Sequence, residues 1–233
     1  MSFINLFRKR NRKLLFTTPS HSQKFCIVNK FRHFYGCDIS ETDAHNPEVV
    51  LNNAQIKASK IYGTKQTIFL TNGSSSGIIA SILAVADKGD NILIWENAHK
   101  CHKNAVELAG ANPIYYNLET DKNWGIPNRT IPKNIEPYFK EQSIKALVVT
   151  SPSYYGIVSD IEQLKELCAK YNAYLIVDEA HGALQVALRA VDGREVEVHH
   201  PWVVLAHHVV DGPGPLVAYE RHQRVEDWHA VLL

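Results

Sequence analysis

Short apolar runs that end in polar loops alternate along this chain with stretches of helical period, and this alternation constrains the fold more than any other feature. The run "TIFLT" (Thr67 to Thr71) is β-branched and aromatic and ends in Asn72-Gly73. The "SGIIASILAVA" that follows has apolar residues at helical spacing as far as Lys88-Gly89-Asp90. Strand "NILIW" (Asn91 to Trp95), helix "HKNAVELAGA", strand "NPIYY", a polar loop through Trp124-Gly125 and helix "NIEPYFKEQ" come next. Strand "IKALVVT" (Ile144 to Thr150), helix "DIEQLKELCAKY" and strand "AYLIVD" close the series. Strands that are apolar on both faces and alternate with helices predict an α/β domain, its mainly parallel sheet covered by helices on both faces. Ligands of such sheets bind beyond the carboxyl ends of the strands. The chemistry is therefore expected in "TNGSSSG", "ENAHK", "TSPSYYG" and "DEAHG", each of which follows a strand.

Composition narrows the function classes. A chain of 233 residues, 45% hydrophobic and 21% charged, can build one domain with a real core. Its formal charge of +1 provides no global field for nucleic acid, and the basic run "RKRNRK" (Arg8 to Lys13) reads as a solvated face or a terminus. The sequence has no apolar run of about 18 residues to span a bilayer. In "MSFINLF" the charges follow the apolar residues, the wrong order for a secretory signal, so a cytoplasmic location is expected. Cys26, Cys37, Cys101 and Cys168 have no C-x-x-C spacing and are expected to be reduced, structural thiols. The cluster "HKCHK" (His99 to Lys103) lacks a second ligand cluster at a usable spacing, and no metal is expected.

Asp178 to His181 raise the question of a DEAH-type nucleotide-hydrolysing motor. Such a motor needs a phosphate loop ending in Gly-Lys, and the chain contains no Gly-Lys dipeptide. "TNGSSSG" suggests something else. Glycine permits a tight turn, the serines supply hydroxyls, and the helix that begins there points unpaired N–H groups and its positive dipole end at the same spot. Taken alone, the motif is better read as an ordinary serine helix cap. In combination, three strand ends offer a phosphate site, an imidazole (His99) and a buried carboxylate (Asp178), the groups needed to hold a phosphorylated pyridine ring.

The residues from about Thr17 to Ala183 resemble the major domain of the pyridoxal-phosphate-dependent ornithine/lysine/arginine decarboxylases, of the aspartate aminotransferase fold group. The likeness is carried by "TTPSHSQ", "FYGCDISETD", "AQIKASKIYGTKQTIFLTNGSSSG", "NAHK", "IKALVVTSPSYYG" and "VDEAHGA", in the family's order and at similar spacings. It implies that Ser74 and Ser75 bind the cofactor phosphate and that His99 stacks on one face of the pyridine ring. Asp178 would pair with the ring nitrogen, Ala180 would pack on the other face, and His181 would lie near cofactor and substrate. Glu179 would point to the opposite side of the strand in a structural role. Decarboxylation leaves an electron pair on Cα that must flow into a protonated pyridine, and a facing carboxylate favours that proton. The implied substrate is a basic amino acid, with Glu41 and Asp43 as candidate contacts, and the implied assembly is a homodimer or larger homo-oligomer.

One family feature is missing. The lysine that anchors the cofactor covalently is expected about thirty residues after "DEAHG", in a Ser-x-His-Lys segment, yet the last lysine here is Lys170. Spacing points to "LAHHVVDG" (Leu205 to Gly212), where Val209 or a neighbour occupies the lysine's place. Composition changes at the same point: Gln185 to Leu233 contain no Lys, Asn or Ile and are crowded with Val, His and Arg. We expect three segments: an N-terminal segment (1–50), a partial cofactor-binding major domain (51–184), and a tail (185–233) unlike the family, from a shifted frame or foreign sequence. The chain would then be a truncated, impaired decarboxylase; the alternative is a non-catalytic cofactor-binding or subunit-interaction protein. The pairs His199-His200 and His207-His208 have no acidic or cysteine partner at fixed spacing and are read as incidental.

Overall fold

In the computed structural model, the described residues are 49–62, 64–70, 72–182 and 230–232. The basic run Arg8 to Lys13, Cys26, Cys37, Glu41, Asp43, the histidine pairs of the tail and the segment Leu205 to Gly212 lie outside them. The chain divides into two compact units, Met1–Ala58 and Ser59–Leu233. The described part of the first is helical, the start of helix α1 (Val49–Tyr62), with Val50, Leu51, Gln55 and Ala58 along its buried side. Sequence reading did not assign this helix, because Asn52, Asn53 and Lys57 interrupt its apolar pattern.

The second unit contains, in order, β1 (Gln66–Ile68), α2 (Ser74–Val85), β2 (Asn91–Trp95), α3 (Lys100–Leu108), β3 (Asn112–Tyr116), α4 (Pro132–Glu141), β4 (Ile144–Thr150), α5 (Ile161–Lys170), β5 (Tyr174–Asp178) and β6 (Ala230–Leu232). Four strands form one sheet in the order β3-β2-β4-β5, and every pairing is parallel. β1 pairs in parallel with β6, whose residues belong to the compositionally distinct tail. The expected α/β class with a parallel sheet is what the chain adopts. β2, β3 and β4 begin and end where the sequence pattern puts them, while β1 is shorter than "TIFLT".

Strand parity explains the two-sided core. Ile92 and Ile94 of β2, Ala146 and Val148 of β4, and Tyr174 and Ile176 of β5 pack in one cluster with Ile78, Ile82 and Val85 of α2 and Ala105 and Val106 of α3. The alternate residues Leu93, Leu147, Val149, Leu175 and Val177 pack on the other face with Ile135 and Phe139 of α4 and Leu164 and Leu167 of α5. Helices therefore cover both faces, as parallel sheets require. Leu147 sits fully buried on the central strand β4. We expect Leu147→Ala to lower unfolding free energy by about 2–5 kcal/mol, to be read from urea denaturation.

From β2 the chain steps to β3 on one side, then returns to place β4 on the other side of β2. This reversal opens a crevice between the carboxyl ends of β2 and β4, the position where open parallel sheets bind ligands. The loops that reach it are Glu96 to His99 and Ser151 to Gly156.

Candidate cofactor site

The chain enters α2 through Gly73, whose φ of 76° lies in the left-handed region that glycine adopts without strain. Gly73 is the N-cap and makes no side-chain capping bond; Ser74, Ser75 and Ser76 form the first turn. The serine-cap explanation of "TNGSSSG" therefore does not describe this turn. The Ser76 hydroxyl instead donates back to the Gly73 carbonyl at 2.7 Å. Ser74 and Ser75 are half-buried at the positive end of the helix. A Cβ added at Gly73 would meet nothing within 4 Å, so it is the backbone conformation and not crowding that asks for glycine here.

The next loop leads into α3. His99 is its N-cap, and the ring Nδ1 accepts from the Cys101 backbone N–H at 3.3 Å. The buried side of α3 is Cys101, His102, Ala105 and Val106, the i, i+1, i+4, i+5 pattern of a helix face laid on a sheet. An imidazole, His102, is thus carried inside among apolar neighbours.

Asp178 is the last residue of β5. Two-residue parity puts it on the same face as Tyr174 and Ile176, the side covered by α2 and α3. There the His102 Nε2 lies 2.9 Å from Asp178 Oδ2, with His102 0% and Asp178 5% exposed. The Ala180 backbone N–H donates to the other carboxylate oxygen, Oδ1, at 3.1 Å. The Asp178 carbonyl accepts from the Ser151 N–H at 3.0 Å, tying the ends of β4 and β5 together. A carboxylate removed from water is costly unless its oxygens are bonded, and both of these are.

Cys101 connects this carboxylate to the serine turn. Burial pushes its thiol pKa up, a hydrogen bond with Ser75 opposes the shift, and the Asp178 charge adds to it. The thiol is therefore neutral at neutral pH, unlike the thiolate that nucleophilic or metal-binding cysteines supply. Its Sγ, His102 Nε2 and an Asp178 oxygen lie within 4.8 Å of one another.

Of the residues singled out from sequence, Ser75, Asp178 and Ala180 are linked around this buried cluster. His99 and His181 are exposed. His181 stands edge-on to Tyr154, ring centroids 5.7 Å apart, and Tyr154 stands edge-on to Tyr155 at 5.5 Å. Glu179 is buried, next along the strand end from Asp178. Sequence reading counted His102 only within "HKCHK". Its pairing was recoverable in part, because helical spacing puts it on the face of Ala105 and Val106.

Gly182 closes the turn after β5, its N–H donating to the Glu179 carbonyl at 2.7 Å. A Cβ there would lie 2.7 Å from Cδ of Pro152, in the loop after β4. Gly182→Ala should therefore push the two strand-end loops apart and cost about 1–3 kcal/mol. A thermal melt is the check.

The profile of the family described as Orn/Lys/Arg decarboxylase, major domain, matches residues 6–190. The uncharacterized protein YaaO of Bacillus subtilis is 39% identical over 145 residues, 60% of this chain and 30% of that protein. Proteins named arginine decarboxylase from Bacillus anthracis and Bacillus cereus are each 32% identical over 184 residues, which is 75% of this chain and 37% and 40% of theirs. The chain thus spans between 30% and 40% of the length of these relatives.

Proposed function

The chain belongs to the Orn/Lys/Arg decarboxylase family, and from that premise we propose that it holds pyridoxal phosphate beside Asp178 and descends from a decarboxylase of basic amino acids. The observation that carries this reading is the carboxylate of Asp178, buried at a strand end with both oxygens bonded and linked through Cys101 to the serine turn. Hydroxyls and helix N–H groups at one end, with an oriented carboxylate at the other, suit a phosphorylated pyridine. When bound, the cofactor supplies a protonated ring that accepts the electron pair released as the substrate carboxylate departs.

The roles of the chain's own groups follow from their chemistry. Ser74 and Ser75, at the positive end of α2, bind the phosphate dianion. Asp178 holds the proton on the ring nitrogen, since a nearby negative charge favours the positive form. Ala180 orients the carboxylate through its N–H and offers a small side chain against one ring face. His99 covers the other face from the end of α3, and His181 faces the substrate beside Tyr154. The substrate class is a basic amino acid, by analogy with the proteins named arginine decarboxylase. A homodimer or larger homo-oligomer and a cytoplasmic location are part of this proposal; no helix among the described residues is long and apolar enough to cross a membrane.

A second reading, a non-catalytic cofactor-binding or subunit-interaction protein, is favoured by one fact: no lysine follows Lys170. An absorbance titration with pyridoxal phosphate, before and after borohydride, tests both. Saturable binding supports the cofactor site, and only covalent fixation by borohydride supports a competent anchor. Absence of binding by the folded chain would overturn both cofactor readings.

A further inference from the structure

We infer that His102 is a positioning residue, which acts through Asp178 on the hold that the chain has on the pyridine nitrogen. This rests on the proposed cofactor site and deepens it.

The geometry makes the case. A carboxylate only accepts, so Nε2–H of His102 donates to Oδ2 of Asp178 across 2.9 Å. Oδ1 is occupied by the Ala180 N–H. These two bonds, one to each oxygen, fix the plane of the carboxylate and hold it against rotation. Hydrogen bonds that involve a charged group are the stronger ones, so the imidazole also draws negative charge toward itself. Losing it would let the carboxylate swing within its pocket.

Packing alone accounts poorly for this histidine. Its neighbours on the same helix face, Ala105 and Val106, are apolar, and an aliphatic side chain would pack against them as well but would leave Asp178 without the bond to Oδ2. The imidazole instead leaves Nδ1 buried without a hydrogen-bond partner among the described residues. A buried polar atom left unsatisfied has a stability cost that calls for a compensating role. The only polar side chain to which His102 is hydrogen-bonded among the described contacts is the carboxylate assigned to the ring nitrogen.

The test separates positioning from packing. Affinities of the full chain for pyridoxal phosphate and for its 1-carba analogue, in which C–H replaces the ring nitrogen, are measured by absorbance and fluorescence titration. The wild-type chain is expected to prefer the natural cofactor. His102→Leu should reduce affinity for the natural cofactor by about tenfold, roughly the loss of one charge-assisted hydrogen bond, and leave affinity for the analogue unchanged. His102→Gln, which retains an N–H donor of similar reach, should restore most of the preference. If the leucine variant does not fold, His102→Ser, too short to reach Asp178, takes its place. Equal losses for both ligands would overturn the inference, because a packing defect ignores the ring nitrogen. A folded wild-type chain that binds neither ligand would overturn the cofactor reading itself, and the inference with it.

Discussion

Asp178→Asn is expected to weaken pyridoxal phosphate binding by about a hundredfold while leaving the fold intact. The substitution keeps size and shape and removes one negative charge. At the ring nitrogen it replaces a charge-assisted contact by a neutral one, and a bond to a charged group contributes about 1.5–3 kcal/mol. The attraction between opposite charges in a partly buried site adds to this. Stability responds differently, since a buried carboxylate carries a desolvation cost that asparagine does not. The amide oxygen can still accept from His102 or from Ala180, at the oxygens Asp178 uses now. We therefore expect a melting temperature within a few degrees of wild type. An absorbance titration alongside a thermal melt reads both quantities. Unchanged affinity in a folded Asp178→Asn chain would remove Asp178 from the cofactor site, and a collapsed melt would mark it as a structural carboxylate.

The second large effect concerns the covalent anchor. Borohydride is expected to fix no cofactor to this chain, and its decarboxylation of lysine, ornithine or arginine is expected to lie several orders of magnitude below that of an intact family enzyme. The reason is chemical. Covalent catalysis divides a hard step into easier ones through a positioned nucleophile, and removing that nucleophile typically costs several powers of ten. In the proposed site Asp178, the serine turn and His102 would bind and orient the ring, but none of them supplies a primary amine. The lysines next to His99, Lys100 and Lys103, sit on the exposed side of α3, and Lys103 pairs with Glu107 across 3.7 Å. Mass spectrometry after reduction and proteolysis decides the matter. A cofactor-bearing lysine peptide would show that another lysine serves the site and would restore the catalytic reading in full.

Much of this architecture was legible from short-range pattern. Strands β2, β3 and β4 are runs of five to seven residues bounded by polar turns, and their ends coincide with those patterns. Helix α1 escaped because its polar interruptions hide the apolar stripe. β6 escaped because three residues carry too little pattern to register, and the parallel pairing with β1 joins positions far apart in the chain. The serine turn is legible as a helix start, whereas its cap, Gly73 and not one of the serines, is seen only in the structure.

The sequence by itself determined the alternation of strand and helix, the two-sided burial of the strands, and the placing of Ser74 and Ser75 at a helix start and of Asp178 and Ala180 at a strand end. All of these follow from local period and local turn chemistry. Only the tertiary structure decided which of the neighbouring histidines reaches the carboxylate. His99 caps α3 at the surface, while His102, three residues on, turns inward and meets Asp178 across 76 residues of chain. The physical reason is that side-chain direction on a helix is known only once the helix is laid against a particular face of the sheet. That choice was made by Ala105, Val106 and the apolar residues of β2, β4 and β5 packing together.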